Sequence, residues 1–201
     1  MGVRRAGSLT RAVFVDRDGV INEPAWDPVD ERYESPVDPS DVVLSEGAVD
    51  GLARLAQGGY LIVVASNQPA AAKGKATLDA LHAVHDRVVA VLAEAGIALD
   101  DWRYCFHHPD GSDPRLRGPC ACRKPAPGML LDAAADHAID LAASWMIGDS
   151  DTDVIAGQRA GCRTVLVEHV LSRHRRGGAR ADAKVRNLAA AAAFIIDDDP
   201  R

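Results

Sequence analysis

The sequence predicts an α/β fold built on a mostly parallel sheet with helices on both faces. Three observations predict it: short apolar runs rich in β-branched residues recur along the chain, helical periodicities separate them, and the runs are apolar throughout instead of alternating. Strands covered on both faces read that way. With 201 residues, 47% of them hydrophobic, the chain suits a single domain spanning 1–201.

The first run, AVFVD at 12–16, ends on an acid. Ser45 then caps a helix in which Val49, Leu52, Leu55 and Ala56 share a face, and Gly58 and Gly59 stop it. YLIVVAS at 60–66 is the second strand, which completes a β-α-β unit. A helix over 76–95 turns Leu78, Leu81, Val84, Val88, Val91 and Leu92 inward, with Gly96 as its stop. Strands at 102–106, 144–149 and 163–168 continue the rhythm, with helices after Gly128 and over 152–160. The stretches 23–39 and 109–119 break it and read as loops, neither large enough for a separate cap domain. The basic segment 173–180 reads as a solvated loop before a last alanine-rich helix, and Asp197–Asp199 as a frayed tail.

Net charge is −6 with no basic stripe, which argues against nucleic acid or an anionic membrane as partner. The apolar run 188–196 is far shorter than the ~20 residues a membrane helix requires. Residues 1–11 carry Arg4, Arg5 and Arg11 but no apolar stretch with a cleavage site, so no leader is read and a cytoplasmic location is expected. The expected state is a monomer or weak homo-oligomer.

In parallel sheets, ligands bind beyond the carboxyl ends of the strands. Asp16, Asp18, Ser66 and Asp149 all fall at such ends. In extended geometry Asp16 and Asp18 project to one side, where two carboxylates can converge on one ligand and one hard cation. One can attack phosphorus while the other gives a proton to the leaving oxygen and then takes one from water. Phosphoryl transfer also needs a hydroxyl, a cation and a carboxylate for Mg²⁺, and Ser66, Lys124 and Asp149 supply these.

A second constellation, Cys105 and His107 with Cys120 and Cys122, has the composition of a closed structural zinc site in a loop over 105–122. Buried thiols or a disulfide are the alternatives. His108 would point the other way, and Cys162 reads as a core thiol. His82 and His85 read as solvent-exposed, and His137 and His169 have no partner obvious from sequence.

The motifs DRDGVIN at 16–22, Ser66-Asn67-Gln68, Arg123-Lys124-Pro125 and Gly148-Asp149 followed by Asp153 resemble, in order, those of the haloacid dehalogenase superfamily of phosphatases. The resemblance runs from about 12 to 168. It implies a Rossmann-like, capless sheet of order 5-4-1-2-3, counting its strands along the chain. It implies Asp16 as nucleophile, Asp18 as acid and base, and Ser66 and Lys124 on the phosphoryl oxygens. Mg²⁺ would be held by Asp16, the carbonyl of Asp18 and Asp149, with Asp153 in support. Joined to the Cys/His segment, the pattern is similar to the D-glycero-D-manno-heptose 1,7-bisphosphate 7-phosphatases, with histidinol-phosphate phosphatases as close relatives. That likeness implies a phosphorylated sugar substrate, contacts to it from Asn22, Asn67, Gln68 and Arg123, and Arg123 on the distal phosphate. The run from Pro69 to Gly74 departs from the family pattern, as does Ser150, which stands where lysine is frequent. A protein that binds phosphosugars without turnover is the reading from another class.

Overall fold

Successive residues of a strand point to opposite faces of its sheet, so an all-apolar strand needs cover on both. The computed structural model describes residues 10–198 and meets that need for the first strand. Val13 and Val15 pack into one core and Ala12 and Phe14 into another.

In chain order the elements are β1 (Ala12–Val15), β2 (Ala25–Asp27), β3 (Arg32–Glu34), α1 (Ala48–Gln57), β4 (Leu61–Asn67), α2 (Leu78–Glu94) and β5 (Asp101–Cys105). Then come α3 (Gly128–His137), β6 (Trp145–Gly148), α4 (Asp151–Ala160), β7 (Arg163–Val167), β8 (Ala183–Val185) and α5 (Leu188–Asp198). One six-stranded sheet has the order β5-β4-β1-β6-β7-β8, with every neighbouring pair parallel. This is the expected 5-4-1-2-3 arrangement extended by β8, an edge strand absent from the sequence reading. α1, α2 and α5 cover the face of Val13 and Val15, and α3 and α4 cover the other.

Several expectations are corrected. Ser45 does not cap α1, because its N–H donates to Ile21 O and its carbonyl accepts from Ala48 N, forming a turn that leaves Gly47, at φ +78°, in the cap position. The buried side of α1 is Ala48, Gly51, Leu52 and Leu55, while Ala56 is exposed. A Cβ on Gly51 would lie 2.7 Å from Leu188, so the glycine lets α1 and α5 approach closely. Leu78 and Val91 are only half-buried on α2.

Within 23–39 the chain forms the antiparallel hairpin β2–β3, not an open loop. Trp26 and Tyr33 face each other across it edge to face at 5.3 Å. Lys75 Nζ anchors it from outside at 2.5 Å from Asp27 and 2.6 Å from Asp30. The basic segment is likewise structured: a helical turn, Val170–Arg175, turns Arg175 inward. Asp198 ends α5 and pairs with Arg163, whereas residues 1–9, where the sequence shows no leader pattern, and Asp199, at the end of the expected tail, lie outside the described residues.

The histidines find partners distant in sequence. His85 is half-buried with Nδ1 3.0 Å from the Tyr104 hydroxyl, His137 Nε2 lies 2.8 Å from Asp101, and His169 Nε2 lies 3.0 Å from Glu23. Cys162 is a core thiol, as read, and burial pushes it up to about 12. No helix of the described residues is long and apolar enough to cross a membrane.

Candidate active site

Two neighbouring strands place the acids. The Asp16 N–H donates to Ile147 O at 2.9 Å, which fixes the end of β1 against β6 and so brings Asp16 beside Asp149. The chain then turns sharply at Gly19, whose φ is +86° and where a Cβ would lie 2.1 Å from Asp149 Oδ2. Only glycine allows that approach. One carboxylate oxygen each from Asp16, Asp149 and Asp153 lie within 4.8 Å of one another, and all three residues are buried.

Lys124 holds this group of acids together. Its ammonium lies 3.0 Å from Asp16 Oδ1 and 2.5 Å from Asp153 Oδ1, and donates to Ala65 O at 2.6 Å. Burial works against its charge, but Asp153 and Asp16 outweigh it and push the lysine up to about 12. Asp153 also accepts from Ser150 N at 3.0 Å and Ser150 Oγ at 2.5 Å, which ties the start of α4 to the cluster. Burial raises Asp16, tempered by Lys124 and reinforced by Asp153 and Asp18. Burial, then Asp153 and Asp16, push Asp149 up to about 8 against the opposing charge of Arg175.

Among the described residues neither oxygen of Asp149 accepts a hydrogen bond, although both are buried. Buried carboxylates without donors are costly. The three acids therefore fit a hard divalent cation of the Mg²⁺ type by donor chemistry and by spacing.

Asp18 has the opposite environment. Its carboxylate accepts from Arg17 Nε at 2.9 Å and Nη2 at 3.1 Å, Asn22 Nδ2 at 2.9 Å and Gln68 Nε2 at 2.6 Å. Burial would raise it, but Arg17 and the hydrogen bonds bring it below the ordinary carboxylate value. Asn22 and Gln68, expected at the substrate, are buried behind Asp18 and hold it in place. Asn67 touches the cavity yet also clamps the backbone of Lys124, accepting from its N–H and donating to its carbonyl at 3.0 Å each.

A cavity of about 290 Å³ opens above the acids, lined by Asp16, Asp18, Ser66, Lys124 and Arg123 among others. Its wall also contains Lys73, and Glu34, Ser35, Thr152 and Arg175, which the sequence reading did not place there. Glu34 and Ser35 come with the hairpin, Lys73 with the unusual run after Pro69, and Arg175 with the basic segment. Each of these segments was visible only as a break in the pattern.

Cys105, His107, Cys120 and Cys122 also converge, at the end of β5 and ahead of α3. Sulfur–sulfur distances are 3.0 to 3.6 Å, and His107 Nδ1 lies 3.8 and 3.6 Å from Cys105 and Cys122. These are too long for disulfides, and all the cysteines are free. With Zn–S bonds of about 2.3 Å, ligands at tetrahedral corners stand about 3.8 Å apart, so the donor set fits zinc. His108 is turned away, with Nδ1 accepting from Asp110 N at 3.1 Å. The cluster reaches the cavity through Arg123, whose Nη1 donates to His107 O at 3.1 Å.

Acids and a fixed ammonium, gathered at the carboxyl ends of parallel strands around a cation-lined cavity, define a phosphoryl-transfer enzyme. The HAD-hydrolase-like family model matches residues 121–198. The D-glycero-beta-D-manno-heptose-1,7-bisphosphate 7-phosphatase of Salmonella typhi is 39% identical over 156 residues, covering 78% of this chain and 79% of that protein. Its Yersinia pestis counterpart is 36% identical over 179 residues, 89% and 91% of the two chains. Among solved structures, D,D-heptose 1,7-bisphosphate phosphatase from B. bronchiseptica, complexed with magnesium and phosphate, superposes with TM-score 0.79 at 32% identity. It covers 94% of this chain and all of that one. A putative HAD-like phosphatase from Mesorhizobium loti gives 0.80 at 30% identity, covering all of this chain and 94% of that one. The chain belongs to the haloacid dehalogenase (HAD) superfamily, within its phosphatases, and is a phosphoric monoester hydrolase.

Proposed function

We propose that this chain hydrolyses the 7-phosphate of D-glycero-D-manno-heptose 1,7-bisphosphate through an aspartyl-phosphate on Asp16. The carrying observation is the cavity wall: Lys124 is committed to Asp16 and Asp153, and Lys73 and Arg123 remain as further cations. That surplus suits a substrate with a second phosphate. The names of the relatives agree with it.

In this reading Asp16 attacks phosphorus while Ser66 and Lys124 hold the equatorial oxygens. Mg²⁺ at Asp16, the Asp18 carbonyl and Asp149, with Asp153 in support, would neutralise charge on the phosphoryl group. Asp18 gives its proton to the leaving sugar oxygen and then takes one from the attacking water. Arg17 favours the ionised Asp18, which suits the second half-reaction. An incoming phosphate anion raises a neighbouring carboxylate and so favours the protonated form needed for the first. Zinc at Cys105, His107, Cys120 and Cys122 would be structural, holding Arg123 toward the distal phosphate and Lys124 over Asp16. Three thiol ligands suit a reducing compartment, which supports a cytoplasmic location. The net charge of −6 supports a small-molecule substrate over nucleic acid. A monomer or weak homo-oligomer, folded as one domain over 1–201, completes the proposal.

The test is kcat/KM of the Mg²⁺-loaded enzyme on the heptose bisphosphate, histidinol phosphate and simple sugar monophosphates. The bisphosphate should lead by about tenfold or more, the value of one charge-assisted contact. Parity with the monophosphates would refute the sugar assignment, and no hydrolysis of any of them would favour a binding protein without turnover.

A further inference from the structure

Arg175 stands apart from the other cations of the cavity. It reaches the wall from the helical turn after β7, and the same wall takes Ser150, the N-cap of α4, and Thr152 in its first turn. Its side chain is 23% exposed, and Nη2 lies 2.9 Å from Glu34 Oε2 and 3.4 Å from Tyr33 O, both in the hairpin. Arg123, by contrast, is bound to the His107 carbonyl on the side of the thiol cluster. Burial opposes the charge on Arg175, and Asp149, Glu34, Asp18 and Asp16 together overcome it. Arg175 lines the same cavity as Asp16, Asp18 and Ser66.

Glu34 is an unusual partner in such a place. It is a carboxylate lining a cavity that must admit a phosphate dianion, and its other oxygen, Oε1, is held by Arg32 Nε at 2.6 Å. A planar guanidinium binds a carboxylate and a phosphate with the same fork of donors. We propose that Glu34 occupies Arg175 in the empty site, and that the phosphoryl group being transferred displaces it and takes Arg175 as a ligand. Arg175 is then a catalytic residue and Glu34 a positioning residue that keeps Arg32 after the exchange. Because Glu34 belongs to the hairpin, the same exchange tells the hairpin whether the site holds phosphate. This rests on reading the cavity as a phosphatase site and is independent of which sugar is bound.

The pair of variants Arg175→Ala and Glu34→Gln separates exchange from simple bracing. Inorganic phosphate, as competitive inhibitor of p-nitrophenyl phosphate hydrolysis by the Mg²⁺-loaded enzyme, is the probe. Exchange predicts opposite signs: phosphate binds about tenfold more weakly to Arg175→Ala and about threefold more tightly to Glu34→Gln, where the competing anion is gone. Arg175→Lys should recover part of the loss. Weaker binding in both Arg175→Ala and Glu34→Gln would mean that the pair only braces the hairpin, and unchanged inhibition in both would remove Arg175 from the phosphate site. Either result overturns the proposal. If Arg175→Ala fails to fold, the direction of change in Glu34→Gln alone decides. Neither probe contains heptose, so a failed sugar panel would leave this result standing.

Discussion

The two clusters of potential metal ligands are built on different foundations. Asp16 and Asp149 stand just beyond adjacent parallel strands, Asp153 sits in the first turn of α4, and Lys124 bonds across the group. Cys120 and Cys122 lie in a stretch free of helix or strand, tied to the rest by single hydrogen bonds such as Gly128 N to Ala121 O at 2.9 Å. The comparison teaches that secondary structure and an internal cation preassemble the acids, whereas the thiols must rely on their ion to fix the loop. A catalytic ion can then come and go without unfolding its site, and a structural one cannot.

The largest expected effect follows from the weaker foundation. Cys120→Ser should lose one bound zinc per chain and several kcal/mol of stability, as metal binding at such a site is folding energy. Metal analysis and thermal melts check this, and full zinc content in the variant would erase the contrast. Next, Lys124→Met should lower the stability of the metal-free protein by about 3 kcal/mol, because removing one partner of a buried pair leaves the other uncompensated. Chemical denaturation measures it. An unchanged midpoint would show that the acids assemble without the lysine.

A smaller effect sharpens the role of Asp149. Its folded value of about 8 lies above its ordinary 3.8, so ionising it destabilises the metal-free protein as pH rises from about 4 toward 8. Below pH 8 the cation must displace a proton, and above it need not. The rise in Tm on adding Mg²⁺ should therefore be greater at pH 8 than at pH 5. Asp18, whose folded value is lowered, works the other way: its contribution is present above the unfolded value and is lost as pH falls through the folded one. The smallest effect is the control, Cys162→Ala, which should cost about 1 kcal/mol as a small core truncation and leave zinc content intact.

The difference between the two clusters also explains what the sequence could disclose. The residues of both clusters could be singled out because each sits in a short local signal: acids at strand ends, and Cys-x-His with Cys-x-Cys around a loop. The four strands with buried-type runs, β1, β4, β6 and β7, were legible for the same reason, while β8, with three half-exposed or exposed residues, carries no such signal. Partnerships across long sequence distances were not. Glu23 with His169 and Glu34 with Arg175 are separated by 146 and 141 residues, and only the fold brings them together. Asn22 and Gln68 had the right address and a different task, because a motif gives proximity to Asp18 and not the direction of an amide. The hairpin reads as loop in the sequence because its strands are three residues long, each ends on an acid, and Pro24, Pro28 and Pro36 stand around them.

The central claim, a phosphoryl group carried by Asp16, is tested most directly by trapping it. The Asp18→Asn variant keeps the nucleophile and loses both the acid for the leaving group and the base for water, so rapid quenching with Mg²⁺ and p-nitrophenyl phosphate, whose leaving group needs no proton, should leave phosphate on the peptide containing Asp16 and on no other. Adding Asp16→Asn should abolish the label. Label on a different peptide, or turnover that survives Asp16→Asn alone, would contradict the account.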